Sequence, residues 1–392
     1  MRNDFRFYRK SAVSDYVKGG IIVLCFMGFV GCHRGESIKR SIENATEIVD
    51  NPFQAPIAAP PVISPFREIS QQRPDLVEYG LRSMGEFDVD DVGNIYLIGY
   101  KNESNFLYKL DASGGYSLSF GAKGQGPGEL EMPLKPTVYG DRVYVNEPRR
   151  KIVIFGTDGT FIEERRFPRA IDSAEPLPDG RFILFGRNES TPPGPDYVDY
   201  SLVLSDSNFN DIKLLDTYRW FVGDKRLMPF FMWRITKDHI IVINEARSYE
   251  VLVFDFSGNL VRKIRKAFLP QHADSVIREA ILGQHKSGLL LKNDYIPSPL
   301  PCMRFFIADE AGRLLIMTYQ RGKSENSFGY DVFDSNGELI GQIDLDLDWS
   351  GEYLGVKKYV IKEGLFYHYE KDKEGYSIMK INKIQWPNRR QY

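Results

Sequence analysis

The chain alternates short apolar segments with tight polar turns from about residue 85 to its end. Residues 95–97, 106–108, 143–145 and 152–155 combine β-branched and aromatic side chains, and glycine, aspartate or asparagine follows most such segments. Short apolar runs of this composition, bounded by turn residues, are typical of β-strands. The pattern therefore predicts an all-β domain built from many short strands.

The turns recur with a period that indicates blades of four strands each. In every unit a first turn separates strands one and two, and a second turn separates strands three and four. First turns lie near Gly93, Gly140, Gly180, Asp238, Gly312 and Gly364, and second turns near Gly114, Gly159, Ser207, Gly258 and Gly337. Six first turns and five second turns predict six blades, the last of which lacks its fourth strand.

The start of the domain offers two candidates for the missing strand, residues 66–70 and residues 76–80. A ring closed by its own N-terminal strand leaves few exposed strand edges. The predicted fold is therefore a six-bladed β-propeller closed by an N-terminal strand. A seven-bladed ring, a β-sandwich and a two-domain arrangement remain as alternatives.

Several segments in blades three to five depart from the repeat. Residues 270–285 place Ala273, Val276, Ile277, Ala280 and Ile281 at helical spacing, which predicts a short helical insertion on one face of the ring. Proline-rich stretches at residues 192–195 and 296–301 indicate two further long loops. Because loops carried on a rigid scaffold often hold binding residues, we expect function to concentrate in these blades.

Composition narrows the class of partner. The net charge is −2, and the first 31 residues carry +3, so the remainder carries −5. A mildly acidic body argues against a nucleic-acid partner, which requires a basic face. With Cys25 and Cys32 in the N-terminal region, Cys302 stands alone and no disulfide framework is expected.

The first 32 residues have the features of an export signal. Basic residues precede an apolar stretch at residues 19–31, which is too short for a comfortable transmembrane helix. Phe29-Val30-Gly31-Cys32 resembles the lipobox of bacterial lipoproteins, although leucine is usual where Phe29 stands. The resemblance implies cleavage before Cys32 and a diacylglycerol on its sulfur. An uncleaved short anchor or plain secretion remain as alternatives.

These features predict three regions. Residues 1–31 form a lipoprotein signal peptide, residues 32–65 a lipidated cysteine with a proline-rich tether, and residues 66–392 the propeller. Localisation is then the bacterial cell envelope, with a lipid anchor in the outer membrane or at the periplasmic face.

Two stretches within the repeats carry a family likeness. Residues 143–155 resemble an NHL-type propeller repeat, and residues 119–130 resemble the blade-linking loop of six-bladed envelope propeller lipoproteins. The likeness implies fold and location, and little chemistry. Gly121, Gly124, Gly126 and Gly128 permit unusual backbone angles in that loop, but no phosphate-binding fingerprint follows, so a structural linker is expected.

Metal and catalytic motifs are weak. Asp344, Asp346 and Asp348 alternate along a predicted strand, but Trp349 occupies the position where a calcium loop needs glycine. The five histidines show no zinc-ligand spacing. We therefore predict no catalytic set, no metal and no cofactor, although ligands gathered from separate blades remain an alternative.

The candidate binding residues lie between blades three and four. Tyr218, Trp220, Phe221 and Arg226 combine aromatic and arginine side chains, which are enriched in protein-binding surfaces. The sequence favours a lipid-anchored binding module for a protein or peptide partner. A lyase or hydrolase with its site at the channel mouth and a carbohydrate-binding propeller are the alternatives, so a small molecule or glycan remains a candidate ligand.

Overall fold

Six β-sheets make up the fold. The computed structural model describes residues 37–56, 59–100, 104–188, 197–221, 231–284, 296–324, 327–347 and 359–387. Within these residues lie 26 strands, in five four-stranded sheets and one six-stranded sheet, and two helices. Each sheet is one blade, and the predicted all-β six-bladed propeller is confirmed.

Blades 1 to 3 each use four consecutive antiparallel strands. Blade 1 contains β4 (Phe87–Val89), β5 (Ile95–Ile98), β6 (Asn105–Leu110) and β7 (Tyr116–Ala122). Blade 2 contains β8 (Lys135–Tyr139), β9 (Arg142–Glu147), β10 (Lys151–Gly156) and β11 (Phe161–Arg166). Blade 3 contains β12 (Ile171–Pro176), β13 (Phe182–Arg187), β14 (Tyr197–Ser205) and β15 (Asp211–Phe221).

Blades 4 to 6 recruit strands from the N-terminal part of the chain. Blade 4 contains β16 (Phe231–Ile235), β17 (Ile240–Asn244), β18 (Glu250–Phe254) and β19 (Leu260–Lys266), extended by β2 (Thr46–Asn51) and β1 (Lys39–Glu43). Blade 5 contains β20 (Phe306–Ala308), β21 (Leu314–Arg321), β22 (Phe328–Phe333) and β23 (Leu339–Leu345). Blade 6 contains β24 (Val360–Lys362), β25 (Leu365–Lys371), β26 (Ser377–Gln385) and β3 (Val62–Ser70).

The ring closes through β3, as the missing fourth strand predicted. β3 pairs antiparallel with β26 from Ile378↔Ser70 to Gln385↔Val62, with one register shift. The first candidate, residues 66–70, lies within this strand. The second candidate, residues 76–80, does not form a strand, since Pro74–Glu78 is the short helix α1.

The segment predicted as a tether differs from that expectation. β1 and β2 form a hairpin, and β2 pairs in parallel with β19, the fourth strand of blade 4. Asn51 fixes this hairpin to blade 5, because its side-chain amide donates to Gly337 O and accepts from Leu339 N–H. The described fold therefore includes residues 39–51, well before the predicted start at residue 66.

Aspartate side chains stabilise the repeated turns between strands three and four. Asp111, Asp255 and Asp334 each accept a hydrogen bond from the backbone N–H four residues later. Such a bond closes the turn locally and frees the strands to pair. At Gly337 the turn requires a φ of +80°, which glycine adopts without strain.

The hydrophobic core lies between adjacent blades rather than in one central mass. The largest buried cluster joins blades 4, 5 and 6, and smaller clusters fill the other inter-blade spaces. Helix α2 (Ser275–Gln284) confirms the predicted insertion, and its Ile277 packs into the largest cluster. Of the two helices in the described residues, neither is long and apolar enough to cross a membrane.

Candidate functional site

The innermost strands of all six blades surround a cavity of about 550 Å³. It lies where each first strand turns into the second, at one end of the central channel. We call this cavity the channel mouth. Its lining consists of Asp88, Asp90, Asp91, Lys135, Thr137, Val138, Tyr139, Gly140, Glu175, Pro176, Pro178, Arg234, Ile235, Thr236, Lys237, Ala308, Asp309, Glu310, Tyr359, Val360, Ile361, Lys362 and Glu363.

Charged groups are buried in the wall of the channel mouth. Lys135 of blade 2 forms an ion pair with Glu175 of blade 3, and these residues are 4% and 7% exposed. Asp88 is also buried, and it accepts a hydrogen bond of 3.0 Å from Val138 N–H. Burying a charge costs several kcal/mol even when it is paired, so buried ionisable groups that line a cavity mark that cavity as a candidate binding site.

Blade 4 contributes two cations to this wall. Arg234 is 8% exposed, its guanidinium donates to Trp233 O at 2.9 Å, and its Cζ lies 5.6 Å from the Phe306 ring centroid. Lys237 is exposed at the rim, and its backbone N–H donates to Glu310 O. The arginine is therefore held in place, while the lysine side chain extends from a fixed backbone.

Carboxylates of the two neighbouring blades surround Lys362 of blade 6. Its ammonium lies 2.7 Å from Asp91 Oδ1 and 3.7 Å from Glu310 Oε1. Burial opposes its charge, but the Asp91 hydrogen bond and the negative charges of Asp88, Asp91 and Glu310 raise the pKa of Lys362 above its ordinary value. The lysine is thus charged at neutral pH and links blades 1, 5 and 6.

A second feature lies at the other end of the blades. In the described part of blade 3, the pairing of β13 with β14 ends at Arg187↔Tyr200, followed by a hydrogen bond of 2.8 Å from Asn188 N–H to Asp199 O, whereas β14 and β15 continue to pair up to Tyr197↔Phe221. The hairpin therefore extends three residue pairs beyond β13. We call these pairs, residues 197–199 with 219–221, the blade 3 extension.

Side chains of the blade 3 extension hold one another in place. Arg219 donates two hydrogen bonds to Asp199, of 2.7 and 2.8 Å, and its guanidinium carbon lies 4.1 Å from the Tyr197 ring centroid. The hydrogen bonds from Arg219 lower the pKa of Asp199. Trp220 is half-buried, and its ring meets that of Tyr218 edge-on at 6.5 Å. The surface is therefore ordered before any partner arrives.

The predicted binding residues do not all belong to this surface. Tyr218 is 3% exposed and its hydroxyl donates to Glu245 Oε1 at 2.7 Å, so it supports Trp220 from within the core. Phe221 ends β15, while Arg226 and Cys32 lie outside the described residues. Tyr197 and Asp199 were missed because they lie about twenty residues earlier on the paired strand, with no signal of their own.

The glycine-rich loop after β7 is closed by its own hydrogen bonds. Glu129 accepts from Gly126 N–H at 2.7 Å, and Gly124 N–H donates to Leu130 O at 3.0 Å. The Glu129 carboxylate thus occupies the Gly126 N–H, a donor that a bound anion would need. This arrangement supports the expectation of a structural linker between blades 1 and 2.

Metal-ligand candidates remain scattered in the described part of the chain. No group of three or more His, Cys, Asp or Glu side chains there is arranged to hold a metal ion. Asp344 and Asp346 are exposed on and just after β23, whereas Asp348 falls outside the described residues. His368 is buried in blade 6, and burial lowers its pKa to about 4.

The chain is similar to known propellers. Residues 86–222 match a family of six-bladed β-propellers, DUF5128. No curated protein matches the sequence significantly.

Solved structures resemble the fold at low sequence identity. A DUF4221-family protein from Bacteroides vulgatus aligns with a TM-score of 0.51 and 13% identity, over 84% of this chain and 99% of that chain. A gluconolactonase from Xanthomonas campestris gives 0.39 and 13%, over 84% and 97%. A DUF4623-family protein from Bacteroides eggerthii gives 0.37 and 12%, over 89% and 82%. At sequence identities this low, the similarity indicates a shared fold and carries no information about activity.

Proposed function

We propose that this protein is a lipid-anchored propeller of the bacterial cell envelope that binds a protein or peptide partner through the blade 3 extension. The observation that supports this most strongly is the ordered end of the β14–β15 hairpin, where Arg219, Asp199 and Tyr197 contact one another on one face and Trp220 lies on the opposite face. Tyrosine, tryptophan and arginine dominate the binding energy of protein interfaces.

Rigidity is the physical advantage of this surface. An arginine that must be ordered on binding loses rotamer freedom worth about 0.5–1.5 kcal/mol. The two hydrogen bonds from Arg219 to Asp199 and its stacking on Tyr197 fix that side chain beforehand. Trp220 packs on one side against the core between blades 3 and 4 and leaves its other side accessible. A partner that contacts the end of the hairpin would therefore meet ordered side chains on both of its faces.

The proposal is tested by crosslinked affinity capture from isolated membranes. We expect a specific co-purifying protein with the wild type, and its loss with the double variant Arg219→Ala/Trp220→Ala. Leu214→Ala is the matched control, because Leu214 is 56% exposed at the other end of the same strand. Equal recovery of the protein with the double variant would exclude the blade 3 extension as its binding surface.

The proposed anchor would hold the propeller close to the membrane. If Cys32 carries the lipid, only residues 33–38 separate it from β1, and six residues span at most about 20 Å. β1 is the outermost strand of blade 4, and Arg40 forms an ion pair with Glu338 of blade 5. The outer edge of blade 4 would then lie within that distance of the lipid attachment point.

Metabolic labelling with palmitate tests the anchor. Cys32→Ala should abolish incorporation of label and release the protein from membranes into the soluble fraction, because lipid attachment requires the thiol. Labelling that survives in this variant would show that the lipid, if any, is attached elsewhere.

A further inference from the structure

We infer that the channel mouth is a separate binding site for a small zwitterion, namely a peptide of two or three residues with free amino and carboxylate ends. This inference uses residues at the opposite end of the blades from the blade 3 extension, and it does not depend on the lipid anchor. The cavity of about 550 Å³ falls in the ordinary size range of small-molecule sites.

Charge is distributed unevenly around the channel mouth. Blade 1 contributes three carboxylates to the lining and no cation, whereas blade 4 contributes Arg234 and Lys237 and no carboxylate. In a ring of six blades these two walls face each other across the channel. Lys362 of blade 6 offsets part of the negative charge of blade 1, and the two walls still differ in the sign of their charged side chains, which suits a ligand with both charges.

Asp90 on the blade 1 wall and Lys237 on the blade 4 wall form no ion pair within the described residues. Asp90 accepts hydrogen bonds from neutral donors, the backbone N–H groups of Val92 and Asn94, the Asn94 amide and the Tyr96 hydroxyl. Within the described residues, no carboxylate forms an ion pair with Lys237. Asp91, by contrast, is already paired with Lys362. Both Asp90 oxygens already accept hydrogen bonds, so this carboxylate would attract a ligand ammonium through its charge, and Lys237 would attract the ligand carboxylate.

The size of the cavity sets the length of the ligand. A sphere of this volume is about 10 Å across, and an extended chain spans about 3.5 Å per residue. Two or three residues therefore place the two charged ends at opposite walls. The remaining polar lining, including Thr137 and Thr236, can accept and donate hydrogen bonds to the peptide backbone.

Calorimetric titration with three probes tests the inference: trialanine, N-acetyl-trialanine and trialanine amide. We expect trialanine to bind, and each capped peptide to bind roughly tenfold more weakly because one charge contact is lost. Lys237→Met should weaken trialanine by a similar factor and leave trialanine amide unchanged. Lys213→Met is the matched control, because Lys213 lies outside the channel mouth on β15.

The amino end is tested separately with Asp90→Asn, which removes the charge and keeps an acceptor oxygen for the backbone N–H groups of Val92 and Asn94. This variant should weaken trialanine about tenfold and leave N-acetyl-trialanine unchanged. Titration resolves affinities down to roughly 10 mM. No binding of trialanine at about this concentration would overturn the inference. Equal binding of all three peptides, or equal effects of Lys237→Met and Lys213→Met, would also overturn it. Loss of the envelope partner in the Arg219→Ala/Trp220→Ala variant would leave these titrations unaffected.

Discussion

Replacing Lys266 with methionine should destabilise the propeller by about 3–5 kcal/mol, because it leaves a buried carboxylate without its cation. Lys266 ends β19, the fourth strand of blade 4, and its ammonium lies 3.2 Å from Asp331 Oδ2 in blade 5. Both side chains are only 3% exposed. Tyr249 donates a further hydrogen bond of 2.7 Å to the same oxygen. The group therefore joins two blades at a position closed to solvent.

The size of the effect follows from this geometry. At 3.2 Å and an effective dielectric constant of about 20, the attraction between Lys266 and Asp331 is about 5 kcal/mol. Desolvation of the two ions opposes it, so removing both charges together costs much less than removing one. The double variant Lys266→Met/Asp331→Leu should lose only about 1–2 kcal/mol, since Tyr249 then lacks its acceptor.

The loss in Lys266→Met should also depend on pH. Burial raises the pKa of Asp331 against the lowering effects of Lys266 and Tyr249. Without Lys266 this pKa rises further, so the folded state takes up a proton more readily than the unfolded state. Stability of the variant relative to the wild type should therefore improve as the pH falls through the raised pKa.

Urea unfolding followed by tryptophan fluorescence measures these differences. Lys263→Met on the same strand is the matched control, because Lys263 is 27% exposed and lies 3.9 Å from Glu250, a contact worth less than about 1 kcal/mol. A loss below about 1 kcal/mol in Lys266→Met, or strictly additive losses in the double variant, would refute the buried-pair reasoning.

Three further predictions concern ring closure, turn geometry and pH. Ile69→Ala in β3 should lower the free energy of unfolding by about 2–4 kcal/mol, because Ile69 is 1% exposed. Val62→Ala in the same strand should change it by less than about 0.5 kcal/mol, because Val62 is 62% exposed. Urea titration compares the two variants, and equal losses would argue against closure through β3. Gly337→Ala should lower the melting temperature more than Gly180→Ala, although both glycines have positive φ. The reason is that a Cβ at Gly337 would lie 2.6 Å from a blade 4 side chain, whereas a Cβ at Gly180 would point into open space. Equal shifts in melting temperature would contradict this. Burial lowers the pKa of His368 to about 4, so the unfolded state binds the proton more readily, and stability should fall by up to about 3 kcal/mol as the pH falls from 6.5 to 4. His368→Gln should flatten the dependence of the urea midpoint on pH in this range. An unchanged dependence would refute the lowered pKa of His368.

The blade count was predictable from sequence because each turn carries its own chemical signal. Gly93 and Gly337 adopt positive φ, and Asp111 and Asp334 accept the hydrogen bonds that close their turns. These are local interactions within five residues, so they appear directly in the order of amino acids. The closing strand followed from the same count, because a blade with three strands needs a fourth.

The N-terminal hairpin was not predictable for the opposite reason. Its turn uses Asn44 and Ala45 at positive φ and contains no glycine to mark it. Its stabilising partners are distant in sequence: Glu47 accepts a hydrogen bond from Arg262, 215 residues later. A short polar strand that depends on such contacts resembles a linker when only neighbouring residues are considered.

The channel mouth was also hidden from sequence analysis. Each blade contributes only a few residues to it, such as Asp90, Glu175, Lys237 and Glu310, and about fifty residues separate one contribution from the next. Only part of the blade 3 extension could be predicted from the sequence, namely Trp220, because tryptophan is enriched in binding surfaces. Tyr197 and Asp199 acquire their role only through the register of β14 with β15.

Site-specific photocrosslinking in intact cells tests the proposed binding surface most directly. A photoreactive phenylalanine analogue at position 220, in place of Trp220 in the blade 3 extension, should give one discrete adduct with an envelope protein. The same analogue at position 214, in place of the exposed Leu214 on the same strand, should give none. No adduct at position 220, or the same adducts at both positions, would contradict the proposal.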